Sequence, residues 1–249
     1  MSIPAVAGEC ENYILSHLPE NEYQAIRPHL EFFPTPLRTI MFERNKEIEY
    51  TYFPLSGEHS VLAIMEDGAA VEVGTVGNEG MSTVDTLTGG MTAVETTICQ
   101  IAGESLRMPV RKFMEALERL PELKRLCYRY LQAYLSQVSQ SVACNRLHST
   151  EERFARWILM SHDRVKGDEF HITQEFLAIM LGVHRPSITL VARAFQQAGL
   201  IKYNRGTVTV VDREGLEEAS CECYGVVKQQ FLRILGQNTG WPEKQVKPG

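Results

Sequence analysis

No stretch of the sequence approaches the roughly 20 consecutive apolar residues that span a bilayer, and no basic run followed by an apolar core opens it. A cytoplasmic location is the expectation. Also missing are a Walker phosphate loop, a G-x-S-x-G elbow, an H-E-x-x-H pair and a paired Cys/His nucleophile, so no enzymatic activity is expected. Glu151-Glu152 is a carboxylate pair in sequence, but at the start of a helix it serves the dipole rather than acid–base chemistry. Cysteine is sparse and scattered, at 10, 99, 127, 144, 221 and 223, which suits buried or free thiols in a reducing compartment rather than a disulfide frame. Cys221 and Cys223 form a C-x-C with no second pair at zinc-finger spacing. A structural role is the ordinary reading of that pair, and a redox or metal handle is the alternative. Between Lys46 and Arg107 there is no Lys or Arg at all, against ten Asp or Glu. A phosphate buried there would lack a cation and would need a nest of backbone donors instead.

What is present fits an ordinary globular protein of two domains: 249 residues, 44% hydrophobic and 22% charged. The net charge is −6. Residues 150–211 hold eight Lys plus Arg against six Asp plus Glu, so that segment is +2 and the remainder −8. The modest basic surplus coincides with the most informative stretch, Phe170–Asp212.

That stretch reads as helix, tight turn, helix and β-wing. Thr173 can cap the first helix, with Ile172 stapled onto Leu177, and Leu177, Met180 and Leu181 give it an apolar stripe. Gly182 ends the helix, and Gly182, Val183 and His184 make a turn short enough to force the next helix across the first. The second helix starts near Arg185, with Pro186 tolerated in its first turn. Ile188, Val191, Ala192 and Phe195 recur at helical spacing and face inward, leaving Arg185, Ser187, Thr189 and Arg193 outward. Gly199 closes it, and two β-rich runs around Asn204, Arg205 and Gly206 signal a hairpin. A helix N-terminus carrying Arg, Ser and Thr suits the major groove, where Arg reads guanine O6 and N7. Arg185, Thr189 and Arg193 are the candidate base readers. Thr173, Gln174, His184, Ser187, Lys202, Asn204 and Arg205 are the candidate contacts to the DNA backbone.

Upstream, Leu37–Met108 is a run of short β-type segments broken by turns, which implies a compact roll, preceded by short helices at Cys10–His17 and Glu22–Leu30. Val110–Leu120 is amphipathic. Pro121–Leu147 reads as one helix about 40 Å long, with Leu123, Cys127, Tyr130, Tyr134 and Val138 on its stripe and Leu126, Leu131, Leu135 and Val142 beside them. A stripe that wide can pack on its own β-module and also meet a twin, so a homodimer is expected. Asp212–Leu235 reads as one further helix and 236–249 as a disordered polar tail. The fold class is therefore α+β, with a β-roll over 1–120, a dimerisation helix over 121–148, a winged helix-turn-helix over 149–235 and a tail over 236–249.

In that order these parts resemble the Crp/Fnr superfamily of bacterial transcription regulators over nearly the whole chain. The carriers are YFPLSG at Tyr52–Gly57 and VEVGTVGNEGM at Val71–Met81 for the cyclic-nucleotide-binding-like roll, and Ile172–Ile201 for the helix-turn-helix. The resemblance implies double-stranded DNA and RNA polymerase as partners, Arg185 as a base reader and Ser187 as a phosphate contact. It departs from the family at Pro186, where an acidic residue often stands, and at Leu190, where a second basic reader is usual. Gly77, Glu79 and Gly80 are the candidate effector pocket, with backbone amides and a ribose acceptor. The missing cation argues against a cyclic nucleotide there. An iron–sulfur ligand cluster is absent, since Cys10 stands alone, and His17, His29 and His59 are candidate haem ligands with surface or hydrogen-bonded roles as the ordinary alternative. No cofactor is expected. The competing reading is a nucleotide- or ligand-responsive regulatory module that acts on a protein partner.

Overall fold

The computed structural model describes residues 3–236. The predicted tail lies beyond Gly236, outside the described residues. The N-terminal part opens with α1 (Tyr13–Ser16) and α2 (Glu20–Ile26), both shorter than the spans expected from sequence: Asn12 caps α1 and so starts it late, and α2 gives way to a 3-10 turn at Arg27–His29. An antiparallel sheet follows: β1 (Glu31–Thr35), β2 (Ile40–Phe42), β3 (Tyr50–Ile64), β4 (Ala70–Val76) and β5 (Thr96–Pro109). Its order is β1-β5-β3-β4, with β2 also on β5. The long strands β3 and β5 pair along most of their length through several register shifts, and those bulges let the sheet curl into a roll. Phe53, Leu106 and Met108 fill its interior, and Phe53 meets Phe113 edge-on.

Two helices lead away from the roll, α3 (Val110–Arg119) and α4 (Pro121–Leu147), with Pro121 in the first turn of α4 as its missing N–H allows. Leu123, Leu126, Cys127, Tyr130, Ala133 and Tyr134 of α4 are buried. Tyr128, Leu135 and Val142 stand out at 44%, 55% and 66% exposure, so the helix carries two apolar faces rather than one wide stripe. The buried Glu22 carboxylate caps α4 by accepting from the Glu122 and Leu123 amides at 3.1 and 2.9 Å.

The C-terminal part runs α5 (Thr150–His162), β6 (Glu169–His171), α6 (Gln174–Leu181), α7 (Arg185–Gln197), β7 (Ile201–Asn204), β8 (Thr207–Val210), α8 (Arg213–Ala219) and α9 (Cys223–Leu235). The single C-terminal helix expected from sequence is two helices. The chain breaks at Ser220, which is extended at φ −84 and ψ 157, and restarts beyond Cys221. The break lets α9 turn back along α4, where Ile234 and Leu235 carbonyls accept from Arg129 and from the Tyr13 hydroxyl. Ser149 and Glu152 form a reciprocal capping box that starts α5. Among the described residues no single helix is long and apolar enough to cross a membrane.

The C-terminal domain lies against the roll. From α5, Trp157 Nε1 donates to Glu72 Oε1 at 3.1 Å, and Ser60 Oγ donates to the other oxygen at 2.6 Å. Burial, aided by the nearby Glu58 carboxylate, pushes the Glu72 carboxyl up to about 8. The folded chain therefore holds a proton that the unfolded chain has released above its ordinary value of 4.5. Stability is present below pH 4.5 and is lost as pH rises towards 8. With one pKa unit worth about 1.4 kcal/mol and some solvent left around the group, the loss should be roughly 1–3 kcal/mol. Glu72→Gln should flatten that slope in urea unfolding measured across the window; parallel curves for wild type and variant would exclude the assignment.

Candidate nucleic-acid interface

The helix-turn-helix unit is assembled from local signals. Thr173 accepts the Phe176 amide at 3.2 Å and so starts α6, and Gly182 ends it at φ +59, a left-handed value that costs glycine nothing. The turn through Val183 and His184 sends α7 off at 109° to α6. Ile188, Val191, Ala192 and Phe195 are buried, and Phe195 packs edge-on against Phe154 of α5. The opposite face of α7 is open, carrying Arg185, Pro186, Leu190, Arg193 and Gln197. The wing is a three-stranded sheet in the order β6-β8-β7, one strand more than the hairpin expected from sequence. Its tip is the two-residue turn Arg205-Gly206, at φ +48 and +81, which aligns two strands with the right-handed twist of the sheet.

These elements enclose a surface groove of about 310 Å³ lined by Thr173, Gln174, Arg185, Tyr203, Arg205 and Gly206. Most of its lining residues come from the sequence-predicted set, now on one face. His184, Arg185, Arg193, Lys202, Asn204 and Arg205 are exposed, and Thr173, Gln174, Ser187 and Thr189 are half-buried. Thr189 is less free than its spacing suggests, because its hydroxyl donates to Gln174 Oε1 at 2.8 Å and lies 3.2 Å from the Arg185 carbonyl. Nothing in the sequence singles out Tyr203, yet its hydroxyl donates to the Ile172 carbonyl at 2.7 Å and ties the wing to the start of α6. A β-strand tyrosine in an alternating run carries no other sign of that role.

The Gly77–Gly80 turn takes no part in that groove. Its Glu79 is buried and paired with Arg164 Nη2 at 2.7 Å, while Arg164 Nη1 reaches Glu58 Oε1 at 2.7 Å and Thr75 Oγ1 at 2.9 Å. The cation missing from the roll is thus supplied by the C-terminal domain, from the loop after α5. Burial opposes the Arg164 charge, but Glu79 and Glu58 outweigh it and its pKa is raised. Burial pushes the Glu58 carboxyl up against the pull of Arg164 and Ser161. The turn has no spare room: a side chain at Gly80 would run into Tyr130, and one at Gly77 into Glu79 and Arg164. Sequence reasoning misses Arg164 because 85 residues separate it from Glu79.

A separate cavity of about 370 Å³ opens between the roll and α4, lined by apolar residues including Val61, Val76, Leu131, Tyr134 and Val138, together with Asp85 and Glu95. Its lining has no Lys or Arg, and burial raises both carboxyls. None of the candidate haem ligands lines it. His59 is buried and held neutral, pushed down to about 4 by burial, with Ser82 Oγ at 2.7 Å; His17 bonds the Tyr13 carbonyl; His29 is exposed.

Comparison with known proteins bears on the fold. Residues 152–219 match the Crp-like helix-turn-helix domain. The chain is similar in structure to a transcriptional regulator of the crp/fnr family from Eubacterium rectale, at 20% identity and TM-score 0.66 over 85% of this chain and 99% of that one. It is also similar to the c-di-GMP responsive global regulator CLP of Xanthomonas campestris, at 16% identity and TM-score 0.63 over 77% and 99% of the two chains. A CRP-family regulator from Thermus thermophilus aligns at 19% identity and TM-score 0.63 over 76% and 96%. At these identities the likeness is one of fold. No curated protein sequence matches the chain.

Two substitutions test the interface. Arg185→Ala should cost about 1–3 kcal/mol on a selected site and relax preference at one base position, whereas Arg205→Ala should weaken all sequences alike and lower the salt slope by about one. Both are measured as binding to cognate and scrambled duplexes across a salt series. Equal loss on both duplexes for Arg185→Ala would remove it from base reading.

Proposed function

We propose that this chain, a Crp/Fnr-type transcription regulator in fold with a Crp-like helix-turn-helix domain, acts as a homodimer on an inverted-repeat operator. The observation that carries this reading is the outer face of α4. Tyr128, Leu131, Leu135, Val138, Val142 and Asn145 follow one another at spacings of three, four, three, four and three, the repeat of a two-stranded coiled coil. Tyr128, Leu135 and Val142 are exposed apolar residues, and Leu131 and Val138 are half-buried. Such a seam is stable only when covered, and a second copy covers it with its own equivalent seam. Two-fold symmetry then offers two α7 helices to major grooves about 34–36 Å apart.

At each groove Arg185 would read guanine and Arg193 would act as a second reader, with Thr189 in a supporting position because of its bond to Gln174. Lys202, Asn204, Arg205, His184, Ser187, Thr173 and Gln174 would hold the sugar–phosphate backbone. Leu190, 68% exposed on the same face, suits a thymine methyl group better than a guanine. RNA polymerase is the partner that the family resemblance implies.

The roll is a sensor that has given up the cyclic nucleotide. Arg164 neutralises the carboxylate that would otherwise take a ribose hydroxyl, and the neighbouring cavity offers acids and apolar walls to its guest. A small apolar or cationic molecule is the class that fits. Because Leu131, Leu135 and Val138 belong both to that cavity and to the seam, its occupancy would bear directly on the dimer.

Selection of bound duplexes from a random pool, at fixed salt and with no ligand added, should return one shared inverted repeat. Recovery of unrelated sequences with little salt dependence would favour a protein partner instead. Leu135→Asp combined with Val142→Asp should turn the dimer into a monomer in sedimentation and cut operator affinity at least about 100-fold, since the two half-sites then bind independently. A dimer that survives both charges would remove α4 as the interface.

A further inference from the structure

The C-x-C at Cys221 and Cys223 does not stand alone in space. Cys144, on the last turn of α4, and His148, which caps that helix, are four residues apart and share one face, and the connection between α8 and α9 brings Cys221 and Cys223 onto it. One ligand atom from each of the four residues lies within 4.8 Å of every other. Cys144 Sγ is 3.5 Å from Cys221 Sγ, and Cys223 Sγ is 3.5 Å from His148 Nδ1. Bonds of about 2.3 Å from a tetrahedral zinc ion to sulfur set neighbouring ligand atoms about 3.8 Å apart, a spacing that falls between the two 3.5 Å contacts and the 4.8 Å limit of the group. The three cysteines are buried and the histidine half-buried, which closes the site to a substrate.

The surroundings have the features of an outer coordination shell. His148 turns Nδ1 towards the thiols, and its Nε2 lies 3.2 Å from Glu222 Oε2, so a carboxylate fixes the tautomer that leaves Nδ1 free to ligate. Gln140 Nε2 donates to Cys223 Sγ at 3.0 Å, a contact that favours a thiolate. Three thiolates, one neutral imidazole and a divalent ion leave a single negative charge, and Arg156 is near enough for its charge to act on Cys144.

We propose that Cys144, His148, Cys221 and Cys223 bind one structural zinc ion per chain. The three thiols release their protons to solvent as the ion binds, and no electron is transferred. The ion joins the end of the long helix to the start of α9, at the place where the N-terminal part of the chain gives way to the DNA-binding domain.

The test is metal analysis of the full chain purified with a thiol reductant and without chelator, which should find about one zinc per chain. After chelation, added cobalt should give the intense visible bands of a tetrahedral thiolate complex, and chelation should lower the melting temperature. Cys144→Ser and Cys223→Ser should each bring the zinc content below about a tenth of an equivalent, Glu222→Gln should weaken zinc about 10-fold in competition with a chromophoric chelator, and Cys99→Ser should leave it unchanged. The proposal fails if the reduced wild-type chain holds less than about a tenth of an equivalent, or if its cobalt form is weakly coloured and octahedral. It fails equally if iron with sulfide, or a Cys144–Cys221 disulfide, accounts for these side chains. Should the cysteine variants fold poorly, the wild-type metal content and cobalt spectrum decide the matter.

Discussion

The arrangement of the two halves depends on one buried guanidinium. Arg164 sits between Glu58 and Glu79 with its side chain almost wholly out of solvent, and each ion pair closes at 2.7 Å. Charges in such a place are tolerated only when paired and hydrogen-bonded, because desolvation costs several kcal/mol per ion. Here Thr75, Ser161 and Gln100 supply the remaining bonds. The group therefore does not add stability in the manner of a packed leucine. It specifies a single docking position, since any displacement of the loop after α5 would leave two carboxylates uncompensated inside the roll.

The long helix carries that fixed position outward to the seam. Its inner face, with Leu123, Leu126, Tyr130 and Tyr134, belongs to the core of the monomer, while Tyr128, Leu135 and Val142 face away. Tyr130 is also the residue that leaves no room at Gly80, so the turn bearing Glu79 and the helix bearing the seam are in direct contact.

The parts of this molecule that announce themselves in sequence are those built from neighbours in the chain. Thr173, Gly182 and Asp212 act on backbone groups a few residues away, and a hydrophobic repeat such as Ile188, Val191 and Phe195 is set by helical period alone. The helix-turn-helix and the two ends of α4 are readable for that reason. The C-terminal segment reads as one helix because no proline marks the break at Ser220, which lies within a continuous run of mixed polar and apolar residues. The third wing strand, Glu169–His171, is too short for alternation to reveal it. Arg164 and Tyr203 escape for a different reason: their partners lie far off in sequence, and a single Arg or Tyr looks the same whether it is solvated or buried. The candidate DNA contacts can be proposed as a set from local pattern, but the bond that engages Thr189 with Gln174 depends on the angle between two helices, which no local pattern encodes.

The C-terminal domain is held at its two ends as well as through Arg164. At one end the turn between α4 and α5 is framed by the Ser149 capping box and the His148 cap; at the other, α9 runs back along α4 and ends with its carbonyls bonded by Tyr13 and Arg129. The cysteine and histidine cluster includes that His148 cap and joins it to the start of α9. A dimer that reads an inverted repeat needs its two recognition helices at a separation fixed to within a base-pair step, and a flexible join after the dimer helix would blur that distance. Restraints at both ends of the domain add to the ion pairs of Arg164 in tying the body that carries α7 to α4 and the roll. Sequence selectivity in such a protein would then come from the body that carries Arg185 as much as from Arg185 itself.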